Sequence, residues 1–342
     1  MWAKGKSDLS TLFGYSMNAE RFHSQPITCG QATNFCGTVD ALVMADPRVG
    51  CRPSGPGLRA NLNTDGCWLA WDGVKAVGLA KWQSLPWEST CMGLPMARVD
   101  GLWVVGRNAN VVPDPPALEI KRRLVAALQA RAAAAGVHHL VARLPALDRT
   151  GLAALREAGF EQMDVLVTLE LKLRREAMPP MTLLTPGIVR PATSGDISTL
   201  RTIAASSFKH DWLHTDPLLP ATTVDALYAN WIERDINGRA DWVWVAEIEG
   251  IVRGFAAGIR LDDRWARIDL VATDADWRHR GIAFAVIQTM LAHCISEGIA
   301  HAVVGTQAYN LAALALYQRM GFRPVFRQIT LRKVLNRVRG GK

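Results

Sequence analysis

The second half of the chain alternates short apolar runs with longer stretches at helical spacing. Ile268–Ala272 is a strand-like run, Phe284–Ser296 carries apolar residues around a helix, and Ala302–Gly305 is another strand-like run. The pattern predicts strand 266–273, helix 281–296, strand 301–306, helix 310–319 and strand 324–334. Upstream, Trp242–Glu247 and Val252–Arg260 read as a hairpin across Glu249-Gly250. Before it come a strand over Gly187–Arg190, a helix from Ser194/Asp196 to about Phe208, a loop over Lys209–Pro220, and a helix from Thr222/Thr223 through Arg234. Asp196 falls in a first turn, where a carboxylate complements the helix dipole.

The first half repeats part of this pattern. Gly159-Phe160 matches Gly321-Phe322, and at the same offset Ala135–Val141 faces Glu297–Val303 and Gly151–Leu155 faces Ala313–Tyr317. The shared order of helix, strand, helix, Gly-Phe and strand predicts a duplicated half. The copies differ at positions that matter below: Gly281 faces Glu119, Ala283 faces Lys121, Asn310 faces Asp148, and Tyr317 faces Leu155. Pro113, Pro115 and Pro116 stand upstream of the first copy's helix, in place of a loop of small residues.

The strand pattern of Leu166–Leu173 breaks at Arg174–Pro180, where two consecutive prolines cannot join a ladder. The expected division is therefore a poorly ordered extension over 1–67, a degenerate domain over 68–173, a linker over 174–187, a working domain over 188–335 and a basic tail over 336–342. Within the extension Asp46–Asn63 reads as loop and a helix is expected near Phe35–Met44.

Composition narrows the class. The chain has 342 residues, 49% of them hydrophobic and 20% charged, enough for two ordinary domains. No run of apolar residues is long enough for a membrane span, and Met1–Asp8 lacks a secretory apolar core, so a cytoplasmic protein is expected. The six cysteines form no C-x-x-C pair and have no histidine pair at zinc spacing, so free thiols and no metal are expected. A net charge of +8 attracts phosphates of any kind. No nucleic-acid-reading module accompanies that charge.

The chemistry concentrates between Ile268 and Phe322. Trp277-Arg278-His279-Arg280-Gly281-Ile282-Ala283 joins a strand to a helix. The first N–H groups of a helix lack intrahelical partners and carry partial positive charge, a natural seat for phosphate. Gly281 and Ala283 let an anion approach the backbone, and Arg278 and Arg280 add charge. A second helix begins at Asn310, whose side chain suits a cap, and carries Tyr317 two turns later.

These residues resemble a family. Arg278-x-x-Gly281-x-Ala283 resembles the pyrophosphate loop of the GCN5-related N-acetyltransferases, or GNAT family. Asn310-x-x-Ala313-x-x-Leu316-Tyr317-x-x-x-Gly321-Phe322 resembles its second CoA motif, and Arg190-Pro-Ala-Thr-x-x-Asp196-Ile197-x-x-Leu200 its first strand and helix. The resemblance implies an α/β (α+β) tandem GNAT fold, with a mixed central sheet flanked by helices and a degenerate first copy. It implies acetyl-CoA as co-substrate, bound by Val271, Ala272, Thr273, Arg278, His279, Arg280, Gly281, Ile282, Ala283 and Asn310. Tyr317 is then the general acid that protonates the departing thiolate. Asp164 and Asp269 are the candidate bases, with ordered water as an alternative.

Further patches are similar to dTDP-fucosamine acetyltransferase-like enzymes, which act on nucleotide-linked amino sugars. They are Leu85-Pro-Trp87-Glu88 with Gly93-Leu-Pro-x-x-Arg98-Val99, Phe208-Lys-His-Asp with Asp216, and Leu227-Tyr228-x-x-Trp231-Ile232. That similarity implies an acceptor side at His214, Asp216, Tyr228 and Trp231. The loop His210–His214 departs from the serine-arginine-aromatic cluster of those enzymes, so the sugar stays open. The expected partner is a small-molecule amine, with no nucleic acid and no membrane, and a homodimer is allowed. Two other functions stay in view. One is acetylation of a protein N-terminus, an aminoglycoside or a thiol precursor in the manner of mycothiol synthase. The other is a non-catalytic acyl-CoA-binding regulatory module.

Overall fold

The computed structural model describes residues 27–31, 67–72, 75–104, 115–174 and 187–335. The helix expected near Phe35–Met44, the basic tail and all but the ends of the linker lie outside the described residues. The chain forms two compact units, Met1–Met163 with Gln328–Lys342, and Asp164–Arg327.

The first unit contains β1 (Ile27–Gln31), β2 (Cys67–Asp72), β3 (Lys75–Ser84), helix α1 (Pro86–Met92), β4 (Met96–Val104), α2 (Pro115–Ala134), β5 (His139–Pro145) and α3 (Arg149–Glu157). Strand β1 lies inside the expected N-terminal extension, yet Ile27–Gln31 ladders antiparallel with Asp72–Trp68. The β2–β3 and β3–β4 pairs are antiparallel and β4–β5 is parallel. Leu124, Leu140, Leu144 and Leu155 are fully buried where α2 and α3 cover the sheet.

The second unit runs from β6 (Glu161–Lys172) through β7 (Ile188–Pro191), α4 (Ile197–Ser207), the short α5 (Trp212–Thr215), α6 (Ala221–Arg234), β8 (Trp242–Ile248), β9 (Ile251–Arg260), β10 (Trp265–Thr273), α7 (Ile282–Ser296), β11 (His301–Gln307) and α8 (Leu311–Arg319). Its sheet is antiparallel across β7, β8, β9 and β10, parallel at β10–β11, and antiparallel again at β11–β6. Glu249 and Gly250 both adopt positive φ (53° and 76°), the two-residue turn that matches strand twist and makes the expected hairpin. Helix α7 is apolar on most faces, and Ile282, Ala285, Val286, Ile287, Met290, Leu291 and Cys294 are buried. A helix this apolar is stable only against a sheet.

The two units share one plan, an antiparallel meander, a parallel pair joined through a helix, and a closing antiparallel strand. The closing strands are exchanged. Strand β6 follows the first copy in sequence but pairs with β11, Lys172–Leu166 against His301–Gln307. Strand β12 (Arg323–Val334) follows the second copy but pairs with β5, Gln328–Val334 against Pro145–His139. Packing therefore divides the chain at 163/164 and again at 327/328 rather than once in the linker. A linear scan for breaker residues has no means of registering such a swap.

At the position of Ala283 the first unit has Lys121, whose Nζ donates to Asp148 Oδ1 at 2.5 Å. Asp148 stands where Asn310 stands in the second unit, and it too caps its helix, accepting from the Gly151 N–H at 2.9 Å. Both ends of the ion pair are buried, with side-chain exposures of 2% and 5%. Breaking such a pair from one side leaves a buried charge, at about 3–5 kcal/mol. We expect Asp148→Ala to lose about that much in urea unfolding, and Lys121→Met combined with Asp148→Asn, which keeps the cap, to recover most of it.

Candidate active site

The parallel ladder of β10 and β11 runs only from Trp265–His301 to Ile268–Val304. Beyond it each strand stays paired on its outer side, β10 with β9 as far as Thr273–Gly254 and β11 with β6 as far as Gln307–Leu166. The facing edges, Asp269–Thr273 and Gly305–Gln307, thus part from one another. The β9–β10 register skips Asp269, which makes it a bulge residue and turns β10 at that point.

The parted edge of β10 leads into the loop before α7. His279 (φ 62°) and Gly281 (φ 79°) both take left-handed conformations, and Gly281 is the N-cap. Three helix starts are sealed by a side chain, Asp148 at α3, Asp211 at α5 and Asn310 at α8, while α1, α4 and α6 are not, and what sets α7 apart is the left-handed glycine at its start beside the parted edge. No side chain caps α7, so its leading N–H groups are open to an anion. Arg278, His279 and Arg280 are exposed around it. Trp277 packs between two guanidiniums, Arg280 at 4.5 Å and Arg253 at 4.7 Å from the ring centre. The residues present therefore fit a diphosphate.

Asn310 accepts from the Ala313 N–H at 3.2 Å, as its cap assignment requires. Tyr317 is 6% exposed and joins the apolar cluster that contains Ile268, Val304 and Ile282, the residues at the parting point and at the start of α7. Phe322 meets it edge-on at 5.7 Å. Burial raises the phenol well above its usual range, so the hydroxyl holds its proton at neutral pH.

The acceptor side differs from expectation. His214 is 7% exposed, with Nδ1 3.2 Å from Asp211 and Nε2 2.9 Å from Asp225. Both ring nitrogens have carboxylate partners, and the ring braces the loop. Asp216 is 1% exposed and accepts from the Leu218 N–H at 3.0 Å, a turn-forming contact. Tyr228 is buried in a stack with Phe208 at 4.6 Å, His214 at 6.0 Å and Trp231 at 5.9 Å. Trp231 ends that stack and donates Nε1–H to Asp269 at 3.0 Å.

The two candidate bases also part company. Asp269 has no free face, since Arg239 at 2.7 Å, Arg267 at 2.9 Å and Trp231 all bond its carboxylate. Asp164 is 3% exposed, and Oδ1 has no hydrogen-bond partner among the described residues. Its other oxygen is 3.5 Å from the Gln307 amide, at the parted end of β11. Tyr309, next to the Asn310 cap in sequence, is held above its usual range by burial and then by the charges of Asp164 and Asp211. His210 meets Tyr309 edge-on at 6.1 Å.

Arg239, Asp235, Arg267 and Tyr309 were not singled out from the sequence. One signal was available. Met96-Ala-Arg98-Val-Asp100 and Trp265-Ala-Arg267-Ile-Asp269 share Ala-Arg-x-Asp. In both units the arginine Nε bonds the aspartate, at 2.7 and 3.1 Å, and in both the register skips the aspartate. Arg239 carries no such mark, because it reaches Asp269 from a different element.

An α/β unit with a parted parallel pair and an uncapped helix start beside it is built to hold an acyl-CoA. Residues 199–322 match the model of the acetyltransferase (GNAT) family, and the chain carries an acetyltransferase domain of that family. The family's co-substrate is acetyl-CoA. The spore coat polysaccharide biosynthesis protein SpsD of Bacillus subtilis (strain 168) is 30% identical over 39% of this chain and 45% of its own length. The matched stretch thus spans less than half of that relative. Two solved structures share the fold. A GCN5-related N-acetyltransferase from Sphaerobacter thermophilus has a TM-score of 0.60 at 15% identity, covering 90% of this chain and 95% of its own. A tandem GNAT protein from the clavulanic acid biosynthesis pathway has a TM-score of 0.57 at 17% identity, covering 90% and 98%. Among the described residues no cluster of three or more His, Cys, Asp or Glu could hold a metal ion, and no helix is long and apolar enough to cross a membrane.

Asp235 yields a pH test. Burial pushes its carboxyl up to about 6 against the pull of Arg239. Between its ordinary value and about 6 the folded state keeps a proton that the unfolded state releases, so stability falls as pH rises through that window. The cost above it is at most on the order of 3 kcal/mol. We expect Asp235→Asn to melt higher than the parent above about pH 7 and equally near pH 4. A gain that does not change with pH would exclude Asp235 as its source.

Proposed function

We propose that this protein is an acetyl-CoA-dependent N-acetyltransferase that acts by direct transfer on the amino group of a small molecule, a nucleotide-linked amino-deoxy sugar. The observation that carries the reading is the parting of β10 and β11 at Ile268–Val304, directly before the uncapped start of α7. The pantetheine arm takes the place of the missing strand, and the α7 N-terminus with Arg278 and Arg280 receives the diphosphate. GNAT acetyltransferases act on small-molecule or polysaccharide-precursor amines. The name of SpsD, a spore coat polysaccharide biosynthesis protein, supports a sugar. So do Asp164, whose carboxylate suits an ammonium, and the exposed ring of Tyr309 next to the Asn310 cap, which suits the flat face of a sugar or base.

The steps follow from the residues. A neutral amine attacks the thioester carbonyl, and the oxyanion is met by backbone N–H groups of Val271–Thr273 on the parted edge. Asp164 takes the ammonium proton through its unpartnered oxygen. The tetrahedral intermediate collapses, and the Tyr317 hydroxyl protonates the departing CoA thiolate. Asp269 serves as a structural anchor in this scheme, and His214 and Asp216 shape the acceptor loop from within.

Thiol release from acetyl-CoA over a panel of dTDP- and UDP-amino sugars, aminoglycosides and N-terminal peptides tests the reading. Turnover is expected with an amino sugar, and Tyr317→Phe is expected to lower kcat by about 10²–10⁴-fold with acetyl-CoA affinity unchanged. Tight binding of acetyl-CoA without turnover of any acceptor would overturn the proposal.

A further inference from the structure

One buried network joins the acceptor helix to the thioester strand. Its centre is Asp269, the bulge residue of β10, which is 6% exposed at its side chain. From β10 itself Arg267 donates to it through Nε at 3.1 Å and Nη2 at 2.9 Å. From α6 comes the Trp231 indole N–H at 3.0 Å. From the widened turn Asp235–Arg239 that ends α6 comes Arg239 Nη1 at 2.7 Å. The same nitrogen of Arg239 also bonds Asp235, and the guanidinium lies 5.1 Å from the centre of the Trp231 ring.

Asp235 is an expensive residue for this place. It is 1% exposed, and one carboxylate oxygen has no hydrogen-bond partner among the described residues. A well-packed apolar residue would serve folding as well or better. The turn that presents it is irregular, with Gly238 at φ 101°, and it brings Arg239 back against β10.

We propose that Asp235 and Arg239 are positioning residues that clamp the bulge at Asp269, and so hold the parted edge Val271–Thr273 at the spacing acyl transfer needs. Arg239 supplies the reach, and Asp235 fixes Arg239. The aromatic stack Phe208–Tyr228–Trp231 rests on the same clamp, so the acceptor side and the thioester strand share one anchor. Asp235 is faced by Arg234 and Arg239 from its own segment and by Asp269 from β10. Protonation of Asp235 below about pH 6 weakens its hold on Arg239, which is then kept by Asp269 alone.

The proposal rests on the acyltransferase reading, and two readouts keep them separable. The first is kinetic. Arg239→Met is expected to lower kcat at least ~10-fold, as a small misplacement of reacting groups does, with the Kd for acetyl-CoA within about twofold. Arg239→Lys, whose single ammonium can still bridge the two carboxylates, is expected to restore most of the rate. Asp235→Asn is expected to melt higher than the parent at neutral pH yet turn over more slowly. The second needs no acceptor. Hydrogen exchange of the 269–273 amides is expected to speed up in Arg239→Met and not in Arg239→Lys. Unchanged exchange there, or a kcat within twofold of the parent in Arg239→Met, would overturn the clamp. An inactive parent with faster exchange in Arg239→Met would overturn the proposed reaction and leave the clamp standing.

Discussion

Two parallel strands that stop pairing partway leave a row of backbone donors and acceptors on facing edges, and such groups are costly unless something bonds them. In the second unit β10 and β11 do this after four residue pairs. Everything around the opening follows from it. The bulge at Asp269 turns β10 away, the helix that follows starts without a cap, and a tyrosine sits in the apolar cluster at the apex. In the proposed reaction a ligand with an amide-bearing arm and a diphosphate end would meet these groups.

The first unit tests that logic by contrast. Its β4–β5 pair also ends after four residue pairs, Met96–His139 to Val99–Ala142, and the register skips Asp100 as it skips Asp269. The side chains nearby differ. Trp103 folds over Gly101, where a Cβ would lie 2.2 Å from the indole ring, and Lys121 reaches Asp148 across the position where the second unit has Ala283 and Asn310. The same backbone plan thus serves two ends. In one copy a buried ion pair stands at these positions, and in the other small residues and an asparagine cap.

Much of this was legible in the sequence. Apolar period placed β8 to β11, α7 and α8 within a residue or so, because those segments bury one face or all faces and the pattern records that. The small residues Gly281 and Ala283 and the cap Asn310 were legible because local backbone geometry dictates residue type. Three things were not. Strand β1 is short and isolated among glycines and prolines, so no period announces it. The burial of His214 and Asp216 depends on Asp225 and on a turn, which residue identity does not encode. The Arg239–Asp269 contact joins residues from separate elements, and only the fold brings them together.

The exchange of closing strands also sets an order of events during synthesis. When the chain has emerged as far as Arg327, every strand and helix of the acetyltransferase unit is present, including β6 beside β11. The first unit, though translated earlier, then still lacks Gln328–Val334, so the edge of β5 is bare and Leu331 is absent from its core. Domains usually fold in the order they are made. Here the half made first is the half completed last, and it waits with an open sheet edge of the kind that invites wrong pairing.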